Sequence, residues 1–287
     1  MKFAFLLICQ CCLLIACSPA APQVDKIQGR TMGTSYSVLW PAHQDVSVSQ
    51  VQSGVDQLLI GINSQMSTYQ SDSELSVFNA SPAPHEQTIS PQFAQVMAQS
   101  LSLNDLTQGY FDISVGPLVN LWGFGPDLKS LVAPSETQLN EARGRVGLQA
   151  ISLQELKLSK TDARYLDLSA IAKGFAVDEV ANLLDELMIP AYLVEIGGEI
   201  RVKGQKPQGK PWKVAVEAPD FNERRVQKIL PLKDVSMATS GDYRNYFEEN
   251  GQRYSHSINP FTAQPIKHQL ASVTIIDESC ARADALA

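Results

Sequence analysis

The stretch "RYLDLSAIAKGFAVDEVANLLDELMIPAYLVEIGGEIRVKG", residues 164–204, decides the fold class. Its opening residues read as a strand. Ser169 stands where an N-cap is expected, and Ile171, Phe175, Val180, Leu183, Leu184 and Leu187 recur at helical spacing with one apolar stripe. Pro190 marks the end of that helix. A second strand follows, then the Gly197-Gly198 turn, then a third strand. A turn of two glycines joins antiparallel neighbours.

Working outward, Gly29–Trp40 alternates Met32, Tyr36, Val38 and Trp40 on one side and reads as a strand. Val48, Val51, Val55, Leu58, Leu59, Ile62 and Met66 predict a helix with a wide apolar face. Ser90, Pro91 and Gly109 supply the N-cap, first position and terminator of another. Ser135 and Gln138 make a capping box. Trp212–Glu217, Gln227–Leu232, Arg253–Ile258 and Ser272–Asp277 are further strands, and a helix begins near Ala281. Helices and strands interleave irregularly. The expectation is an α+β (mixed α/β) fold: one large domain over residues 25–287, with a mixed, mostly antiparallel sheet and packed helices.

The 287 residues carry a net charge of −7, which argues against nonspecific nucleic-acid binding. The N-terminal run from Phe3 to Ala16 has the length and flanks of a signal peptide (1–16). "LLIAC" resembles a bacterial lipobox, so Cys17 is the expected lipidation site and residues 17–24 its tether. The alternative is an ordinary cleaved signal that contains a Cys. The expected location is the bacterial cell envelope, anchored to a membrane and facing the periplasm. Cys280 is the one Cys left in the folded part, so no intramolecular disulfide framework forms.

Four stretches could carry chemistry. In "DLSAIAKG", a helix N-terminus and Lys173 together suit a phosphate, and Asp167 can meet a polar ligand edge. The same residues also serve as plain caps with a solvated Lys. "GYFDISVGPLVNLWGFGP" is rich in Gly and aromatics, which suits either a flat ligand ring or a packed loop. It lacks the third glycine of a dinucleotide fingerprint. His256 in "YSHSINP" can move a proton or be structural. Asp284 in "ARADALA" reads as a helix-start carboxylate or as a ligand for a hard cation such as Mg²⁺.

The order of these blocks is more telling than any one. "GRTMGTSYSV", "STYQSDSELSVFN", "GYFDISVGPLVNLWGFG", "LDLSAIAKGFAVDEV", "VEIGGEIRVKG", "MATSGDYRNYF", "RYSHSINPFTAQPI" and "ARADALA" run through the chain. From Gly29 to Ala287 the chain thereby resembles the FAD:protein FMN transferases, the ApbE family. That resemblance implies transfer of the FMN half of FAD to a Thr of a target flavoprotein, with release of AMP. The implied targets are subunits of sodium-pumping NADH:quinone reductase or Rnf-type complexes. It implies FAD contacts at Met32, Tyr69, Tyr110, Phe111, Asp112, Asp167, Lys173 and Ile258. It implies Mg²⁺ at the Ala170 carbonyl and Asp284, while His256 is the expected base, with Asp284 the alternative. Gly197-Gly198-Glu199 and Thr239–Asn245 are expected to shape the cleft, with no role assigned. The family continues past "ADALA" with a Thr that completes the metal shell, so the chain is expected to be a fragment. Two other readings stay open: a Mg²⁺-dependent FAD pyrophosphatase and a flavin-binding lipoprotein without catalysis.

Overall fold

The Gly197-Gly198 turn, with φ of 66° and 111°, sits at the centre of the main sheet. The computed structural model of the chain describes residues 23–43, 45–126, 132–219, 225–241, 246–249, 251–267 and 270–287. Six strands form that sheet: β1 (Val24–Thr31), β2 (Thr34–Pro41), β6 (Tyr192–Ile196), β7 (Glu199–Lys203), β10 (Val235–Gly241) and β15 (Ser272–Asp277). They lie in the order β1-β2-β6-β7-β10-β15, and each pairing is antiparallel. A smaller sheet orders β3 (His85–Thr88), β5 (Lys157–Lys160) and β4 (Ile151–Gln154). Three hairpins complete the strands: β8 (Trp212–Glu217) with β9 (Val226–Leu232), β11 (Tyr246–Glu249) with β12 (Gln252–Ser255), and β13 (Ile258–Asn259) with β14 (Gln264–Pro265).

Seven helices lie among the described residues: α1 (Val48–Met66), α2 (Glu74–Ala80), α3 (Pro91–Leu106), α4 (Gly116–Leu121), α5 (Glu136–Arg143), α6 (Ala172–Glu186) and α7 (Cys280–Leu286). The period-2 pattern of the sheet decides what each face meets. Tyr36, Val38, Trp40, Tyr192, Val194 and Ile196 join the apolar stripes of α1, α3 and α6 in the largest core. Leu39 and Leu193 turn the other way, toward Trp212, Val214 and Leu232 of the β8–β9 hairpin. Burying one such aliphatic or aromatic side chain contributes about 1.5–3 kcal/mol. A third cluster gathers Leu118, Trp122, Leu139, Phe247 and Ala263 around α4 and α5.

The α+β class is as expected. The α1 stripe and the Ser135–Gln138 capping box form as read. Other boundaries differ. Gly29–Trp40 is a hairpin, because Met32 (φ 48°) and Gly33 (φ 71°) make a two-residue turn with Thr31 opposite Thr34. Residues 164–168 form no strand. Asn79 takes the partner's place there: its side chain bonds both the N–H and the carbonyl of Leu166, each at 2.8 Å. The α3 helix stops at Leu106, before the expected Gly109, with Thr107 as its C-cap. Part of the Gly/aromatic loop is helical, as α4. The strand expected over Arg253–Ile258 breaks at His256. Cys17 and the signal segment lie outside the described residues, as do 242–245 of the "TSGDYRN" block. Among the described residues, no helix is long and apolar enough to cross a membrane.

Candidate active site

At the start of α6, the sequence "DLSAIAKG" makes a turn rather than a capped helix end. Ile171 occupies the N-cap position and has no capping bond. Ser169, the expected cap, instead gives its N–H (2.8 Å) and hydroxyl to Asp167 Oδ1. The helix borrows its acceptor from elsewhere: Gly174 N–H donates to Asp284 Oδ2 at 2.9 Å. Helical register would pair that N–H with the Ala170 carbonyl, which Gly174 leaves untaken.

Asp284 reaches this point because α7 is seated on α6. A seven-residue helix is marginal alone. Asp178 of α6 accepts the N–H groups of Cys280 and Ala281, each at 3.0 Å, and the Ser279 hydroxyl at 2.9 Å. Arg201 of β7 pairs with Asp178 in turn. Gly174 permits the contact: a Cβ there would lie 2.3 Å from the Cys280 carbonyl oxygen and 2.7 Å from Asp284 Cβ. Asp284 therefore stands inside α7 and is buried, not in its first turn.

Three charges meet here. Lys173 Nζ lies 3.2 Å from Glu199 Oε1 and 3.7 Å from Asp284 Oδ1, and both carboxylates are buried. Burial pushes the Asp284 carboxyl up against the opposing pull of Lys173 and the Gly174 N–H. Burial pushes Glu199 up as well, again against Lys173, and Asp284 adds to the rise. Burial pulls the Lys173 ammonium down, but Asp284 and Glu199 outweigh it and the net shift is upward. Glu199 Oε2 is buried and has no hydrogen-bond partner among the described residues. The cluster holds two carboxylates for one ammonium.

The other predicted residues fall into separate neighbourhoods. The turn holding Met32 runs into Thr34, whose methyl would lie 2.9 Å from a Cβ on Gly197. Met32 itself packs partly against the main core. Tyr69 is 71 % exposed. What burial it has raises its hydroxyl pKa, and the nearby Asp167 carboxylate adds to this. Asp167 N–H donates to the Ile113 carbonyl at 2.7 Å, tying "DLSAIAKG" to "GYFDISVGP". Gly116 lets the two approach, since a Cβ there would meet the Tyr165 ring at 2.4 Å and Asp167 Cβ at 3.4 Å.

Within "GYFD", Phe111 is buried in the core and Asp112 caps the short helical turn that follows by accepting from Ser114. Tyr110 is 66 % exposed and packs edge-on against Phe261, with ring centroids 4.9 Å apart. Gly109, Asp112 and Phe261 help line a cavity of about 610 Å³ between α3 and α5. Lys173, Glu199 and Asp284 do not line it. His256 stands edge-on to Phe124, 6.3 Å between ring centroids, and Ile258 packs against the cluster around Trp122. Trp122 Nε1 donates to the Ala263 carbonyl at 3.0 Å, so α4 and the His256 loop are held together.

The residues at Asp284 fit a hard cation. Among the described residues no three His, Cys, Asp or Glu side chains form a closed metal cage. The donors at hand are oxygens: the Asp284 carboxylate and the untaken Ala170 carbonyl, beside an orphaned Glu199 oxygen. Such a set suits a cation like Mg²⁺, which keeps water or substrate oxygens in its remaining positions.

A family model described as "ApbE family" matches residues 32–287. The chain belongs to the ApbE family. A Vibrio cholerae relative named "FAD:protein FMN transferase" is 46 % identical over 96 % of this chain and 83 % of its own length. A Haemophilus influenzae protein of the same name is 43 % identical over 96 % of this chain and 82 % of its own. The solved structure "Flavin Transferase ApbE from Vibrio cholerae" superposes with a TM-score of 0.86, covering 93 % of this chain and 85 % of that one, at 43 % identity. Curated ApbE relatives are thus named as transferases, and the mixed fold described above is theirs.

Sequence reasoning passed over several residues that build this cluster and its surroundings. Glu199 had no assigned role, although a carboxylate directly after Gly-Gly at a strand start is a visible signal. Asp178, Gly174 and Asn79 act through partners 87 to 110 residues away, so local pattern holds no trace of them.

Proposed function

We propose that this chain is an FAD:protein FMN transferase. It moves the FMN half of FAD to a Thr of a target flavoprotein and releases AMP. The Thr oxygen bonds to the FMN phosphorus, the bond from that phosphorus to the bridging oxygen breaks, and AMP leaves with that oxygen. The observation that carries this reading is the buried Lys173–Asp284–Glu199 cluster at the start of α6. Phosphoryl transfer asks mainly for charge neutralisation and in-line placement; beside a helix N-terminus, the cluster's carboxylates would hold the divalent cation that supplies the first, with Lys173 adding to it.

Lys173 meets the diphosphate. Asp167 and Tyr69, near each other, hold polar edges of FAD, while Tyr110 and Met32 offer apolar surface to its rings. Ile258 and the "GYFD" backbone complete the pocket wall. Asp284 and the Ala170 carbonyl would hold Mg²⁺, which would supply charge neutralisation at the diphosphate and the leaving AMP. His256 takes the Thr proton. The target is a subunit of a sodium-pumping NADH:quinone reductase or Rnf-type complex. Lipid on Cys17 holds the enzyme at a membrane, facing the periplasm, with residues 25–287 as the catalytic domain.

The test is incubation with FAD, Mg²⁺ and a target subunit, followed by in-gel flavin fluorescence and AMP assay. Fluorescent target with AMP supports the proposal. AMP with free FMN makes the protein a pyrophosphatase, and tight FAD binding without product makes it a binder. His256→Ala should slow transfer by about a hundred- to ten-thousandfold while FAD still binds. Wild-type transfer by that variant removes His256 from the base role.

A further inference from the structure

We infer that Glu199 is a positioning residue that holds the Lys173 ammonium while a divalent cation occupies Asp284. The inference rests on the metal reading proposed above.

The argument starts from the shared ammonium. Lys173 stands between two buried carboxylates, nearer to Glu199 (3.2 Å) than to Asp284 (3.7 Å). A divalent cation on Asp284 would repel an ammonium at that distance. Lys173 then needs another anion within reach, and Glu199 already touches it. Glu199 also has spare capacity, because its Oε2 is buried with no hydrogen-bond partner among the described residues. An open, buried carboxylate oxygen is costly to keep, so packing alone gives no reason for a carboxylate at this position.

Gly197 leaves the room this requires. A Cβ there would sit 2.9 Å from Thr34 Cγ2, 3.3 Å from Glu199 Oε2 and 3.4 Å from Lys173 Cδ. Its φ of 66° also favours glycine. The Lys173 stem and the free Glu199 oxygen therefore flank one small gap. Without the Glu199 charge, Lys173 would rest on Asp284 alone, and an arriving cation would have to displace it.

The test measures cation affinity directly, by calorimetric titration of the FAD-free protein with Mg²⁺ and by the EPR signal of free Mn²⁺. Glu199→Gln should weaken binding about tenfold, the scale seen when a residue supporting a metal ligand is lost. Lys173→Met should bind at least as tightly as wild type, because the competitor for Asp284 is gone. In the Lys173→Met background, adding Glu199→Gln should change little. Wild-type affinity in Glu199→Gln overturns the inference. So does an equal tenfold loss in both backgrounds, which would make Glu199 act on the metal directly. If Glu199→Gln does not fold, Lys173→Met alone decides: affinity at or above wild type upholds the competition, and a loss overturns it. Asp284→Asn separates the two readings. No saturable binding by wild type, or unchanged binding by Asp284→Asn, overturns the metal reading and this inference with it.

Discussion

Lys160 and Lys173 both carry their charge away from bulk water, and they differ in what receives it. Lys160, 2 % exposed, donates to the carbonyls of Phe78 (2.6 Å) and Asn79 (3.2 Å) at the end of α2. Burial pulls its pKa down. Lys173 faces two carboxylates, and their attraction outweighs burial, so its pKa goes up. A cation satisfied by neutral carbonyls pins backbone: Lys160 and Asn79 together hold the end of α2 against residues 164–166. A cation outnumbered by carboxylates leaves net negative charge, which a ligand cation can complete. Two lysines 13 positions apart in one sequence thus meet opposite surroundings, neutral carbonyls for one and carboxylates for the other.

That contrast can be broken by substitution. The largest effect is expected for Lys173→Met, which should slow FMN transfer about a hundred- to a thousandfold, as when one preorganised electrostatic contact is removed. Rapid-quench measurement of AMP release by the folded variant reads this, and the melting temperature should fall as well, because two buried carboxylates lose their counter-ion. Gly174→Ala comes next. The Cβ would meet backbone at Cys280, which cannot swing aside, so overpacking should cost about 1–3 kcal/mol in urea unfolding. It should also lower activity by lifting Asp284 off α6.

Lys160→Met should cost about 2 kcal/mol, because buried carbonyls lose their donor. Transfer by the folded variant should be unchanged; a loss of transfer without a loss of stability would end the division between the two lysines. The smallest effect is a pH slope. The folded protein binds the Lys160 proton more weakly than the unfolded chain, whose value is near 10.5. That contribution to stability is full above 10.5 and is lost as pH falls through the lowered folded value. Urea midpoints should therefore drop more for wild type than for Lys160→Met as pH falls through this window.

Much of this architecture was readable from local signals. Strands Trp212–Glu217 and Ser272–Asp277 have the expected bounds, because alternation and flanking turns are local. The α1 helix likewise follows from its apolar spacing. The Met32-Gly33 hairpin was missed because the alternation continues across its turn, and only Gly33 marked the break. Part of the Gly/aromatic stretch forms α4, whose Leu118 face is set by packing against Trp122, Leu139 and Phe247. Lys173 and Asp284, both singled out in the sequence, do come together in the structure. The wiring of the site was not legible: Asp284 looked like a first-turn carboxylate, and Glu199 looked like part of a turn.

The sequence by itself determined the class of fold, most element positions and the ApbE blocks, because periodicity, caps and motif order act over a few residues. The tertiary structure alone decided which charges share one buried space. Gly174 N–H meets Asp284 across 110 residues, and Asp178 seats α7 across 102. Those contacts depend on how closely two helices approach, which Gly174 controls by lacking a Cβ. Burial then turns an ordinary Lys, Asp and Glu into one coupled cluster, because charges in a low-dielectric site act on each other far more strongly than in water.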